Sequence, residues 1–201
     1  MNKFIQQKNK SRKTLSMSKG FSLVETLVAI SIFTVSLLGI MSVLASSISH
    51  TNYAKQKMIA TYLAQEGIEY MRNIRDDFVL YDNWSNFKDA LNQAKCDTSG
   101  NPKNCYVDDQ SLDFTDPNMP TTDLLKQCAN GGNGDCPVLR YNSITGKYGY
   151  ASGGVDSGFT RIIQATYPSS DDIKISSTVS WNQGSGNYSV TFSEDLFNWV
   201  E

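Results

Sequence analysis

The chain is predominantly apolar from Phe21 to Ile48, and Glu25 is the only charged residue in that stretch. These 28 residues exceed the roughly 20 that an α-helix needs to span the hydrocarbon core of a bilayer. A lone carboxylate inside such a run is costly in lipid and marks a functional position by default. The pattern therefore predicts a transmembrane helix that carries a functional acid near its start.

Residues 49–77 change to apolar positions that recur at intervals of three and four, which places them on one face of a helix. That apolar stripe consists of Ile59, Ala60, Leu63, Ala64, Gly67, Tyr70, Met71 and Ile74. Polar residues, Glu66 among them, fall largely on the other faces. We expect one helix from Phe21 to about Arg75, about 80 Å long at about 1.5 Å per residue, whose second half packs on a sheet.

Towards the C-terminus, apolar and polar positions alternate, which predicts half-buried antiparallel strands. The expected inward positions are Phe159, Arg161, Ile163, Ala165 and Tyr167, then Ile173, Ile175, Ser177, Val179 and Trp181, then Tyr188, Val190 and Phe192. Polar turns at residues 167–172 and 182–187 separate these strands, and Val138–Tyr141 with Lys147–Tyr150 predicts another hairpin. The predicted fold class is α+β, with the sheet covering the helix stripe.

Residues 78–137 form a loop-rich insertion between helix and sheet, with one short helix expected at Ser85–Ala94. All the cysteines lie there: Cys96, Cys105, Cys128 and Cys136. The absence of a C-x-x-C spacing disfavours zinc, and an extracellular set of four cysteines is typical of disulfides. Three connectivities exist. We favour Cys96 with Cys105 and Cys128 with Cys136, because each bond closes a short polar loop.

Charge is distributed unevenly along the chain. Residues 1–20 hold 6 of the 18 basic residues and no acid, whereas residues 21–201 hold all 20 acids. A basic segment before an apolar span places the N-terminus in the cytoplasm and the rest of the chain outside. The acidic body shows no basic patch, so we expect no nucleic-acid partner.

Two simpler interpretations of the N-terminus compete with a retained functional helix. A signal peptide cleaved after residues 43–45 would start the mature chain at Ser46, but its apolar region would be far longer than the usual 7 to 15 residues. A plain single-pass anchor would leave Glu25 without a role. Neither explains why Gly20 and Phe21 stand at the charge boundary.

The sequence G-F-S-L-V-E-T-L-V-A-I-S-I-F, residues 20–33, resembles the N-terminal motif of type IV prepilins and type II secretion pseudopilins. The resemblance implies that a prepilin peptidase cleaves between Gly20 and Phe21 and that the new Phe21 amine is N-methylated. It also implies a pilin-like fold and polymerisation with other pilin subunits through the helix. Glu25 would serve assembly by pairing with the amine of Phe21, one helical turn away.

The resemblance divides the chain into four parts: a cleaved leader at residues 1–20, a membrane and assembly segment at 21–48, an amphipathic helix at 49–77 and an extracytoplasmic domain at 78–201. Residues 63–76 also resemble minor pilin-like proteins of the PilV type. Many major pilins carry a proline in the apolar half of the helix. Here the first proline is Pro102, and Gly39 is the only weak point in that half.

The sequence gives little indication of catalytic residues. His50 is the only histidine, which removes most Ser-His-Asp and Cys-His schemes. The acidic residues Asp108, Asp109, Asp113, Asp116 and Asp123 lack the spacing of an EF-hand. Tyr81, Trp84 and Trp199 are more simply packing residues than ligand contacts. We expect no catalytic residue, metal site or cofactor.

The predicted function is a structural subunit, of the minor type, in a type IV pilus or related filament. Its expected partners are the prepilin peptidase, other pilin subunits, the assembly machinery and the lipid bilayer. It would reside in the cytoplasmic membrane and then in a surface or periplasmic filament. The alternatives are a pseudopilin of a type II secretion system and a membrane-tethered adhesin or binding domain that never polymerises.

Overall fold

The computed structural model describes residues 20–81, 83–94, 96–97, 104–108, 124–128 and 136–199. Its helices are α1 (Leu23–Tyr81) and α2 (Trp84–Gln93). The strands are β1 (Cys105–Val107), β2 (Leu125–Gln127), β3 (Val138–Asn142), β4 (Lys147–Gly149), β5 (Val155–Thr166), β6 (Asp172–Gln183) and β7 (Gly186–Phe197). The chain divides into two compact units, Met1–Ile48 and Ser49–Glu201.

The first unit, in its described residues 20–48, contains the apolar part of α1. Every side chain in this range is exposed. A helix that is apolar on all faces and has no packing partner of its own requires lipid or another protein around it. This part of α1 is therefore a surface that needs an external partner.

The second unit is an antiparallel sheet covered on one face by the rest of α1. Strand β5 is central: β6 and then β7 follow on one side, and β3 and β1 both pair with its other side. The register of the three long strands, β5, β6 and β7, places Phe159 opposite Trp181 and Trp181 opposite Tyr188. The predicted α+β fold is confirmed, including the three hairpins β3–β4, β5–β6 and β6–β7.

The helix stripe and the inward positions of β5 and β6 form the core. The positions expected to face inward on β7 do not: Val190 and Phe192 are only half-buried, and Tyr188 is exposed. Ala60, Leu63, Ala64, Met71 and Ile74 are buried, as the helical spacing predicted. Ile59 and Tyr70 are only partly buried, and Ile68 and Phe78 lie in the core beside the predicted set. The helix also extends to Tyr81, beyond the expected end at Arg75, because Phe78 and Val79 continue the buried face.

Helix α2 begins at Trp84, one residue before the predicted start, because the side chain of Asn83 accepts a hydrogen bond from the backbone N–H of Asn86 and caps it. The two disulfides join Cys96 to Cys105 and Cys128 to Cys136. These are the local pairs that loop length favoured. Cys105 is the first residue of β1, so the first bond ties the loop after α2 to the sheet.

Gly67 marks the closest approach of α1 to the sheet. A Cβ at this position would overlap with Oγ of Ser177 and would lie 3.1 Å from Cδ of Arg161. Real Cβ atoms do not approach other atoms so closely, so only glycine lets the helix rest at this depth. The glycine of the predicted stripe is thus required by helix–sheet packing.

Replacing Gly67 with alanine is expected to destabilise the second unit by about 1–3 kcal/mol, the usual cost of overpacking a core. The nearest obstacle is the Ser177 hydroxyl, which is buried and has no hydrogen-bond partner among the described residues. Ser177→Ala should therefore recover most of the loss. Chemical unfolding of the full chain in detergent, followed by tryptophan fluorescence, measures both effects.

Gly153→Ala provides the control, because no atom of the described residues beyond its chain neighbours lies within 4 Å of the Cβ that it adds. Equal destabilisation by the two glycine variants, or no recovery in the double variant, would contradict a steric requirement at Gly67.

Candidate functional site

Ser22 caps the N-terminus of α1. Its Oγ accepts a hydrogen bond from the backbone N–H of Glu25 at 3.2 Å, and its carbonyl oxygen accepts one from the N–H of Thr26. Ser22 is thus the N-cap and Glu25 the third residue of the helix, the order found in capping boxes. An acid in this first turn also interacts favourably with the positive end of the helix dipole.

The cap places Phe21 before the helix. We expected the helix to start at Phe21, but it starts at Leu23, because the Ser22 hydroxyl satisfies a first-turn N–H from outside the helix. Phe21 and Glu25 therefore do not share a helical face in the intact chain. The pairing expected between the Phe21 amine and Glu25 requires a free amine at Phe21, which the intact chain does not have.

The bond between Gly20 and Phe21 is open to solvent. Both residues are exposed, Phe21 by 81%. Apart from its chain neighbours, no atom of the described residues lies within 4 Å of the Cβ that a side chain would add at Gly20. Unlike Gly67, Gly20 is therefore not required by packing against the part of the chain that the structure describes. A demand for glycine at this position would have to come from a molecule that binds here.

The apolar part of α1 supplies the second component of the site. Leu23, Val35 and Leu38 each expose 70% or more of their surface. By length and composition, α1 contains a segment that can cross a membrane. The site therefore consists of an accessible peptide bond, a capped helix start with one carboxylate, and an apolar helix segment that is exposed along all of its described residues.

Arg161 is a buried residue whose role the sequence did not reveal. It is 1% exposed, and its Nη1 donates to Glu66 Oε2 at 2.8 Å and to the Leu63 carbonyl at 3.2 Å. Its guanidinium also lies 5.2 Å from the ring centroid of Tyr70. We expected Glu66 on a polar face, whereas it lies at the edge of the helix–sheet seam. The inward strand position of Arg161 could have predicted this contact, because a buried cation needs an acidic partner.

The other residues considered for chemistry have different surroundings. Asp108 is buried and forms an ion pair with Lys126, while Asp109, Asp113, Asp116 and Asp123 lie outside the described residues. Among the residues that the structure does describe, no cluster of three or more metal-binding side chains occurs. His50 is exposed.

The three aromatic residues considered as ligand contacts differ in burial. Trp84 is buried and donates from Nε1 to the carbonyl of Ser170 at 3.1 Å. Trp199 is 53% exposed, and the side chain of Tyr81 lies outside the described part. Trp84 is thus a packing residue, as the sequence analysis held.

Residues 15–46 match the family described as the prokaryotic N-terminal methylation motif. The match confirms the prepilin-type signature inferred from residues 20–33. It covers the end of the leader and nearly all of the apolar segment, and this motif family is structural rather than catalytic.

No curated protein and no solved structure is significantly similar to the chain. The signature, the long apolar helix and the antiparallel sheet together support a type IV pilin-like or pseudopilin-like protein. The motif also implies processing by a prepilin peptidase.

Proposed function

We propose that this chain is a minor subunit, of the PilV type, in a type IV pilus or a closely related filament. A prepilin peptidase cleaves it between Gly20 and Phe21, the Phe21 amine is methylated, and the subunit polymerises through α1. The observation that carries the proposal is the matched motif at residues 15–46, which includes the start of an apolar helix whose residues 23–48 are all exposed.

The proposed topology follows from charge. Residues 1–20 carry six basic residues and no acid, which favours retention of the N-terminus in the cytoplasm. The second unit then lies outside, where disulfides such as Cys96–Cys105 persist. The proposed partners are the peptidase, other pilin subunits, the membrane assembly machinery and the bilayer. The proposed role is structural, without catalysis or nucleic-acid binding.

Glycine at position 20 supports the proposal because no packing contact with the described residues requires it. The space around its Cα is open within that part of the chain, so a larger residue would fit there. A peptidase pocket that encloses the residue before the cut would exclude a larger side chain. The requirement for glycine is therefore a property of the enzyme–substrate complex.

The mature chain is expected to begin with N-methylated Phe21. Mass spectrometry and N-terminal sequencing of the protein from membranes and sheared filaments measure both features. Gly20→Leu should abolish cleavage and leave full-length protein in the membrane, whereas Ser18→Leu, two residues earlier in the leader, should be processed normally. A mature start at Ser46, or normal cleavage of Gly20→Leu, would refute the assignment.

Two further measurements separate the related functions. Loss of surface fibres and twitching on deletion indicates a pilus subunit, whereas loss of protein export indicates a secretion pseudopilus. Absence of the processed protein from sheared filaments would indicate a tethered domain that does not polymerise.

A further inference from the structure

The turn between β6 and β7 lies beside the residue at which the chain enters the second unit. Gln183 in this turn region donates from Nε2 to the carbonyl oxygen of Ser49 at 3.2 Å. Ser49 is the first residue of that unit and follows directly after the apolar run that ends at Ile48. We call this end of the sheet, with its turns, the Ser49 end.

The turn between β3 and β4 projects from the same end. Tyr141 pairs with Val155, and Phe159 pairs with Trp181, all antiparallel. One end of the sheet therefore contains the C-terminal ends of β3 and β6 and the N-terminal end of β5. Two of the most exposed apolar side chains of the second unit lie here, Ile144 at 94% and Val155 at 67%.

The β3–β4 turn holds Ile144 in place by local hydrogen bonds. Oδ1 of Asn142 accepts from the backbone N–H of Ile144 at 2.9 Å and from that of Thr145 at 3.3 Å. The Asn142 carbonyl accepts from Gly146, whose positive φ of 71° closes the turn. The turn is thus ordered by its own backbone contacts while its apolar side chain faces outward.

Aromatic side chains line the same end next to α1. The ring of Tyr53 lies 5.0 Å from that of Tyr188, which in turn stacks on Trp181 at 5.7 Å. Tyr188 is 39% exposed, and Nζ of Lys57 lies 6.0 Å from the centroid of Tyr53. Tyrosine and tryptophan rings with nearby lysines are the residues that favour the headgroup layer of a membrane.

We propose that the Ser49 end of the sheet rests on the phospholipid headgroups of the bilayer that holds α1 before assembly, with Ile144 inserted at the headgroup–acyl boundary. The inference rests on the proposed function, because it requires residues 21–48 to span that bilayer. Phe197 and Trp199 are also exposed, at the opposite end, so exposure alone does not select the Ser49 end. The Ser49 end is selected because it adjoins the residue at which the apolar run ends.

This contact has a consequence for the stored subunit. A lipid surface beneath both turns would hold the sheet in one orientation towards the bilayer. The contact would be released when the subunit leaves the membrane for the filament.

Site-directed spin labels in the full chain, reconstituted in phosphatidylethanolamine–phosphatidylglycerol vesicles, test the proposal. All four native cysteines are in disulfides, so a label reacts only at an introduced cysteine. Ser143→Cys and Ser185→Cys report on the two turns of the Ser49 end. Ser169→Cys reports on the β5–β6 turn, which β6 separates from the Ser49 end by about 40 Å at about 3.3 Å per residue.

The measured quantity is the ratio of collisions with lipid-soluble oxygen to collisions with a water-soluble nickel complex. We expect this ratio to be several-fold higher at residues 143 and 185 than at residue 169, because an interfacial group lies about 5–10 Å deep in the boundary layer. Ile144→Asn should lower the ratio at residue 143 towards that at residue 169. Equal ratios at the three turns would overturn the proposal.

A fourth label, Ser36→Cys, keeps the two hypotheses distinguishable. Residue 36 lies near the middle of the apolar run, so a high oxygen ratio there establishes the span independently of the turns. A high ratio at residue 36 with water-exposed turns refutes the lipid contact alone. A water-exposed residue 36 refutes the membrane span of the proposed function and, with it, the contact.

Discussion

Glu25→Leu is expected to leave membrane insertion and cleavage intact but to deplete the protein from sheared filaments. The substitution removes the only charge in the apolar run, so the span improves, and the Gly20–Phe21 bond is unchanged. Under the proposed function the carboxylate matters in assembly, since cleavage after Gly20 would create a new cation, the Phe21 amine, close to it. Processed protein should accumulate in the membrane.

The physical basis is the environment of a filament core made of apolar helices. An unpaired ammonium or carboxylate there costs several kcal/mol, whereas a pair of opposite charges largely offsets that cost. If the Phe21 amine of one subunit pairs with Glu25 of a neighbour, the two helices must meet at one stagger. Glu25 would then act as a register mark during polymerisation.

Two companion variants separate charge from other effects. Glu25→Gln keeps the size and removes the charge, so it should behave like Glu25→Leu. Thr26→Leu removes a polar group at the next position, whose hydroxyl only donates to the Leu23 carbonyl of its own helix, and should assemble normally. Immunoblots of membrane and sheared-fibre fractions give the ratio. Normal recovery of Glu25→Leu in fibres would reduce Glu25 to a residue favoured by the helix dipole alone.

Glu66→Gln is expected to destabilise the second unit by about 3 kcal/mol, at the lower end of the cost of leaving one buried charge unpaired. Arg161 is 1% exposed and would lose its only carboxylate partner among the described residues. Arg161→Met should cost much less, because the Glu66 side chain is 39% exposed and its carboxylate can turn to water. We therefore expect Glu66→Gln to lower the free energy of unfolding much more than Arg161→Met does.

Glu69→Gln is the matched control for this pair. It makes the same chemical change on the same helix, but the Glu69 side chain is 57% exposed and pairs with Arg72 at the surface. Such pairs contribute about 1 kcal/mol or less. Denaturant unfolding of the full chain in detergent, followed by the fluorescence of buried Trp84 and Trp181, measures each variant.

The relative losses of stability in Glu66→Gln, Arg161→Met and Glu69→Gln show whether the buried charge of Arg161 depends on Glu66. Combining Glu66→Gln with Arg161→Met should recover part of the loss seen in Glu66→Gln alone. Equal losses for Glu66→Gln and Glu69→Gln, or a loss in Arg161→Met as large as that in Glu66→Gln, would contradict a buried charge that depends on Glu66.

Much of the fold followed from two periodicities in the sequence. The uninterrupted apolar run from Phe21 and the three-and-four spacing up to Ile74 predicted the two parts of α1. Alternation from Phe159 to Trp181 predicted which strand positions face the helix, and nine of those ten positions are buried, while Tyr167 is only partly buried. Such patterns suffice because side-chain direction in a helix or a strand depends on local backbone geometry alone.

The candidate site was also readable, because its parts are contiguous in the chain. Gly20, Phe21 and Glu25 lie within one short segment, and a motif of this kind needs no folding to be recognised. The exception is the start of the helix, which a single side chain displaced to Leu23. Whether a serine caps a helix or the helix continues past it depends on local hydrogen bonds. The spacing of apolar residues carries no information about those bonds.

The sequence by itself determined the membrane-capable helix, the processing motif, the fold class and the inward face of the sheet, since each depends on neighbours within a few residues. Only the tertiary structure decided that Arg161 meets Glu66 across 95 residues, that Gly67 rests against Ser177 and that Gln183 reaches Ser49. These contacts depend on the depth and register at which helix and sheet pack. Depth and register are set by the volumes of all the packed side chains together, and no local pattern encodes that sum.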